Sequence, residues 1–384
     1  MRMDKLISMN LLQALLVIYL AAIATIKAQT PKCTTPSAGT GTCVPANECH
    51  PVIDFIQRNS PLSQADKEIL RSYQCTVDNS LRVCCPDSKF VIPSSNNSDN
   101  ELPPDVTVHK NFNLLPTECG IAGGRFVLGH RTSLYEFPWM ALLNYRLATS
   151  GTDFRCTGTV INDWYILTAA HCLITSPTLQ LISVRVGEHT INTDPDCEDG
   201  FGNRYCADPV QDFEVAEVIP HPEFDSKTFE NDIGLIRLAH RINTTVYSVH
   251  PICLPTTETV RYRNFENTNV TVTGWGITDT GRKSDELLYA TVPVVSEEQC
   301  RNAYQQRQVV VTRKQICTGD VNGDDFCHGD SGGPLEMVTY HNYRVKMIEY
   351  GVVSFGPGTC GQGFPGVYTR VDYYMDWILD NMKP

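Results

Sequence analysis

The chain has 384 residues, 42% of them hydrophobic and 19% charged, with a formal net charge of −12. That length predicts two or three units with at least one sizeable core, and the composition is that of a globular protein. No block of Lys or Arg interrupts the acidic balance, which excludes a nucleic-acid footprint and leaves other proteins as the expected partners.

At the start, Arg2 and Lys5 precede an apolar run from Leu11 to Ile26, followed by Lys27, Ala28 and Gln29. This order predicts a secretory signal over residues 1–28. A signal anchor is the competing reading, but no stop-transfer pattern follows Lys27. No later stretch reaches the roughly 20 apolar residues of a membrane helix, so no membrane partner is expected. The 16 cysteines predict an oxidising, extracellular compartment, and their even number predicts full pairing. The sequons at Asn96, Asn243 and Asn269 are candidate glycosylation sites on the same route.

Cys33, Cys43, Cys49, Cys75, Cys84 and Cys85 form a first group over residues 33–85. Such a span buries too little apolar surface to stand alone, so disulfides must supply much of its stability. Within it, Ser60 to Asp66 reads as a helix start, with Pro61 in the first turn and Leu62, Ile69 and Leu70 able to share a face. Residues 86–125 carry the run Pro93 to Asp99 and the pair Pro103-Pro104, a linker composition that predicts a mobile, protease-accessible segment.

From Phe126 onward, short β-branched runs such as Val160-Ile161, Val184 to Val186, Val270 to Val272 and Gly351 to Val353 are separated by Gly, Pro and Asn. The rhythm predicts an all-β sandwich or pair of barrels. Tyr374, Trp377, Ile378 and Met382 recur at helical spacing and predict a closing helix that serves packing.

Three segments of this region carry the groups that amide hydrolysis by serine requires: a nucleophile, a base, a carboxylate that orients the base, and backbone donors for the oxyanion. Leu167 to Cys172 places His171 at the end of an apolar run, beside a cysteine able to lock the loop. Asn231 to Ile236 sets Asp232 at the mouth of an apolar strand. Gly329 to Pro334 is a glycine-rich turn around Ser331, in which the amides of Gly329 and Ser331 can converge on one point.

On Thr168-Ala169-Ala170-His171-Cys172 and Gly329-Asp330-Ser331-Gly332-Gly333-Pro334, the stretch 126–384 resembles the chymotrypsin/trypsin family of serine proteases. The resemblance implies two packed antiparallel β-barrels with the active site between them. It implies a triad of His171 as base and then acid, Asp232 as its orienting carboxylate and Ser331 as nucleophile, with Ser354 supporting Asp232. It also implies that Asp325 lies at the base of the primary pocket and selects Arg or Lys before the scissile bond, while Gly356 and Gly366 keep that pocket open. Activation would cut Arg125-Phe126, and the freed α-amino group would pair with Asp330 and form the oxyanion hole at Gly329 and Ser331. Phe126 and Leu128 depart here from the family's usual Ile or Val and Gly.

The six-cysteine group, ending in Val83-Cys84-Cys85-Pro86, resembles the clip domain of arthropod cascade proteases, the group that includes Easter and the prophenoloxidase-activating enzymes. The two resemblances imply the pairs Cys33-Cys84, Cys43-Cys75, Cys49-Cys85, Cys119-Cys253, Cys156-Cys172, Cys197-Cys206, Cys300-Cys317 and Cys327-Cys360. They further imply an upstream activating protease, a downstream zymogen or cytokine precursor as substrate, and a serpin inhibitor, in innate immunity or in a developmental cascade. Catalytically inactive homologues acting as cofactors are the alternative, as is a binding role of the clip domain alone; intact His171, Asp232 and Ser331 speak against the first. No cofactor for catalysis is expected. Relatives bind calcium in the acidic loop that opens at Glu188, where Glu188, Thr190, Thr193 and Asp196 are the candidate ligands.

Overall fold

A computed structural model describes residues 32–34, 40–58, 70–71, 73–77, 80–86, 102–121, 132–148, 151–174, 176, 178–200, 202–261, 263, 265, 268–276, 282–305, 307, 309–319, 331–341, 344–356 and 364–384. The chain divides into two units, Met1–Asn97 and Ser98–Pro384. The signal segment and the helix start at Ser60 to Asp66 lie outside the described residues. Among those described, no helix is long and apolar enough to cross a membrane.

The first unit is a four-stranded sheet in the order β1-β2-β4-β3, built from Lys32–Thr34, Thr40–Val44, Gln74–Val77 (β3) and Ser80–Pro86 (β4), with a helix over His50–Arg58. Among its described residues, Val52, Phe55 and Tyr73 are buried together with Cys43, Cys49 and Cys84. The sheet and helix are stapled by Cys33–Cys84, Cys43–Cys75 and Cys49–Cys85.

The second unit holds two closed six-stranded barrels. The first uses Met140–Leu147 (β5), Thr152–Val160 (β6), Tyr165–Thr168 (β7), Leu179–Val186 (β8), Gln211–Pro220 (β11) and Gly234–Leu238 (β12), with a small hairpin of Cys197–Gly200 (β9) and Asn203–Cys206 (β10) inserted between β8 and β11. The second uses Asn269–Gly274 (β13), Leu288–Val295 (β14), Gln315–Thr318 (β15), Pro334–His341 (β16), Arg344–Phe355 (β17) and Gly366–Arg370 (β18). Alternation is clearest where a strand has one wet face: Val270 and Val272 of β13 are buried while Asn269 is exposed. β7 instead is buried along its whole length, which explains its unbroken apolar run. The closing helix covers Met375–Asn381 and buries Met375, Ile378 and Leu379.

Half of the expected linker is built into this second unit. Val106 is 1% exposed, and Phe112, Leu114 and Leu115 pack against the core. The buried Arg261 holds the carbonyl of Pro104 at 2.6 Å and Asp105 at 3.0 Å. Asn111 donates from Nδ2 to the carbonyls of Leu379 and Met382 at the end of the closing helix. Gly120 exchanges backbone bonds with Pro251 and Met347 beside the Cys119–Cys253 bridge. The polar composition of residues 102–121 therefore marks specific partners for polar groups, where the sequence predicted a mobile segment.

Candidate active site

The two barrels bring together the three segments singled out in the sequence. β7 runs into a single helical turn, Ala170–Leu173, that carries His171. Asp232 precedes β12 in the same barrel and is fully buried. Its Oδ1 accepts from the backbone N–H of His171 at 2.9 Å, and its Oδ2 lies 2.8 Å from His171 Nδ1. A carboxylate only accepts, so Nδ1 carries the proton and Nε2 is left with its lone pair. The His171 side chain is 25% exposed, which leaves that nitrogen an open side.

Asp232 is held by the other barrel as well. Ser354 Oγ on β17 donates to Oδ2 at 2.5 Å, and Thr369 Oγ1 on β18 donates to the Asp232 carbonyl at 2.7 Å. Asn231, just before it, adopts a left-handed φ of 55°, a conformation Asn tolerates better than most residues. Its side chain is tied to the hydroxyl of Tyr374 and to the Glu223 carbonyl. Asp232 is thus oriented by backbone anchors on both sides and by a hydroxyl at its tip.

Ser331 enters from the second barrel, where it precedes β16. Its carbonyl accepts from the N–H of Thr157 on β6 at 2.9 Å. Gly332 N–H donates to Val353 and Val353 N–H to Gly333, which pins the turn to β17. The Cys172 sulfur touches both His171 Nε2 and the Ser331 carbonyl at 3.6 Å. As half of the Cys156–Cys172 bridge it carries no proton, so these are packing contacts that fix the spacing of imidazole and serine turn. Serine, imidazole and buried carboxylate in this order can perform acyl transfer.

Arg125, Phe126, Asp325, Gly329 and Asp330, the pair Cys327-Cys360 and the sequon Asn96 lie outside the described residues. Gly356 and Gly366 face each other: among the described residues, a Cβ on Gly356 would meet the Gly366 Cα, at 3.9 Å. Asn243 and Asn269 are exposed. The structure also joins Cys197–Cys206 and Cys300–Cys317.

Sequence reasoning missed an aromatic wall beside His171. Phe229, at φ 56°, meets the imidazole edge-on at 6.2 Å and Phe355 at 5.0 Å, and Phe355 meets Tyr304 at 5.4 Å. Phe355 follows Ser354 and Phe229 lies just before Asn231 and Asp232, but their meeting with each other and with Tyr304 is not written in any local motif. In the acidic loop, Glu188 and Asp196 are both buried and both accept from the N–H of His189 at 3.1 Å. Asp196 Oδ2 also accepts from the N–H of Thr190, and Thr193 donates to Asp196 Oδ1. Burial pushes the Glu188 carboxyl above its usual range, Arg185 at 3.2 Å opposes this, and the nearby charge of Asp196 adds to it.

Residues 126–378 match the trypsin family model and residues 33–85 match the model of the regulatory clip domain of proteinases. The chain is 36% identical to melanization protease 1 of Drosophila melanogaster, over 91% of this chain and 93% of that protein. It is 39% identical to the CLIP domain-containing serine protease HP8 of Bombyx mori, over 90% and 92%. The crystal structure of the Drosophila Grass clip serine protease of the Toll pathway superposes with a TM-score of 0.64 at 32% identity, covering 92% of this chain and 97% of that one. With two domain models matched in the order clip then protease, and with relatives aligned along nearly the whole chain, this protein belongs to the clip-domain trypsin-like serine proteases and is a serine endopeptidase.

Proposed function

We propose that the chain is a secreted zymogen that cleaves protein substrates after Arg or Lys, and that it is switched on by cleavage at Arg125-Phe126. The observation that carries this reading is the His171 Nδ1 to Asp232 Oδ2 contact of 2.8 Å, with the Ser331 turn held against the same imidazole by Cys172. Ser331 Oγ attacks the scissile carbonyl while His171 Nε2 takes its proton, and Asp232 stays ionised and stabilises the imidazolium. The amides of Gly329 and Ser331 receive the oxyanion once the new amino group at Phe126 pairs with Asp330. His171 then returns the proton to the leaving amine, and water repeats the sequence on the acyl-enzyme. Asp325 supplies the negative charge that selects the basic side chain.

The relatives' names speak of melanization and of the Toll pathway, which supports a place in an extracellular immune cascade. An upstream arginine-directed protease, a downstream zymogen or cytokine precursor and a serpin are the partners of such a place. Glycans on Asn96, Asn243 and Asn269 and a signal over residues 1–28 belong to the same secreted reading. The loop of Glu188 and Asp196 fits an oxygen-seeking dication such as calcium, since two buried carboxylates converge there with Thr190 and Thr193 beside them and, among the described residues, Arg185 as the paired cation. That ion would stiffen the loop and takes no part in the chemistry.

The test is to cut the purified chain after Arg125, sequence the new N-terminus, and assay peptide amides ending in Arg, Lys, Phe or Ala. Hydrolysis confined to Arg and Lys, by a heavy chain that starts at Phe126, is the expected result. Equal hydrolysis after Phe would overturn the role of Asp325, and an active chain that starts elsewhere would overturn the activation site.

A further inference from the structure

Behind the active site lies a second cluster of ionisable groups that the hydrolytic chemistry does not use. Glu336 on β16 and Glu349 on β17 stand directly opposite each other across the antiparallel pair, and both are 0% exposed. Glu336 Oε1 accepts from Thr273 Oγ1 on β13 at 2.6 Å, and Glu349 Oε1 accepts from Thr159 Oγ1 on β6 at 3.3 Å. The Oε2 of each has no hydrogen-bond partner, and neither carboxyl takes part in a salt bridge among the described residues. Among the described residues, the other ionisable group brought to bear on Glu336 is Glu136, which is 1% exposed, with one oxygen on the N–H of Ser133 and the other without a partner there. Glu136 in turn feels the charges of Glu198 and His189. The indole N–H of Trp139 points at Glu336 from close by and, like Thr273, partly offsets the effect of burial on its carboxyl.

Two carboxylates on directly opposed strand positions repel, and a buried charge with no partner is costly enough that such groups stay neutral instead. We propose that Glu336 and Glu349 form a proton-holding clamp: protons neutralise the opposed pair and let β16 and β17 stay closed, with Glu349 reaching Thr159 of the first barrel, and the catalytic unit loosens when both carboxyls ionise and repel. The placement gives the clamp leverage: β16 begins just after Ser331, and β17 carries Ser354 against Asp232.

Burial pushes the Glu336 carboxyl up to about 8, and burial followed by the charge of Glu336 holds Glu349 well above the ordinary carboxyl value of 4.5. The folded chain therefore keeps protons that the unfolded chain releases near pH 4.5. Stability from the clamp is whole below that pH and is lost as pH rises through about 8. This is the opposite slope to that of a paired carboxylate. The clamp does not depend on the proposed substrate or activation site.

The experiment follows the melting temperature of the full-length zymogen from acid to alkaline pH in the wild type, Glu336→Gln, Glu349→Gln and the double variant. Glutamine keeps an oxygen for the threonine hydroxyls but cannot ionise. The wild type is expected to lose melting temperature as pH climbs toward and past about 8, and the double variant to lose most of that slope. Parallel curves in wild type and double variant would overturn the clamp. If the variants do not fold, the infrared band of protonated carboxyls in the wild type decides: it should persist at about pH 7, while the melting temperature is already falling, and fade only as pH rises through about 8. Its absence at that pH would overturn the proposal.

Discussion

Gly332 packs so closely under Thr168 that a Cβ at position 332 would lie 2.1 Å from Thr168 Oγ1 and 2.4 Å from the Thr157 carbonyl. The contact joins the serine turn of one barrel to the strand that leads into His171 of the other. Gly332 also has φ 84°, a region an L side chain rarely adopts. The glycine after the nucleophile is thus fixed by space and by backbone conformation together.

Gly332→Ala should therefore cost more than the ~1–3 kcal/mol of a strained backbone alone, since Thr168 and the β6 backbone must also move. Urea unfolding of the variant measures the loss. A change within about 0.5 kcal/mol would mean that the turn is looser than its contacts imply.

Ser354→Ala removes the hydroxyl that donates to Asp232 Oδ2. A buried hydrogen bond to a charged group is worth about 1.5–3 kcal/mol, so the variant should lose stability in that range and lose activity as Asp232 and His171 drift. Asp232→Asn should act far more severely on rate, by about 10⁴-fold, because the amide favours the wrong imidazole tautomer. Steady-state kinetics of the two activated variants separates these effects.

Val106→Ala tests whether the 102–121 strap belongs to the catalytic unit. Val106 is 1% exposed in its core, and loss of two methyl groups there should cost about 2 kcal/mol. Denaturant unfolding of the activated enzyme would show it. No change would return the strap to the status of a linker.

The fold class and the three segments around His171, Asp232 and Ser331 were legible in the sequence because each is local. β-branched runs report strands, and each chemical group sits in a short motif of its own. The strap was not legible, since Pro103-Pro104 and Asp105 read as linker until Arg261, distant in sequence, supplies their partner. Phe229 was hidden for a related reason: its nearness to Asp232 places it by the site, but its left-handed turn and its packing on Phe355 depend on residues distant in the chain. Glu336 and Glu349 were hidden by their type, because glutamate is among the residues least expected at an inward strand position, and only the register shows them opposed.

If calcium occupies the loop, chelation should lower the melting temperature by several degrees, and Glu188→Gln should abolish that response. Scanning calorimetry with and without chelator reads both. A melting temperature indifferent to chelator would contradict the calcium proposal while leaving the triad untouched.

The most direct test of the central claim is covalent labelling by a fluorophosphonate, which phosphonylates an activated serine with loss of fluoride. Applied to the chain cut after Arg125 and mapped by peptide mass spectrometry, the label is predicted on Ser331 in the wild type and absent from Ser331 in His171→Ala. Labelling of Ser331 that is indifferent to His171, or no labelling of Ser331 in the wild type, would contradict the account.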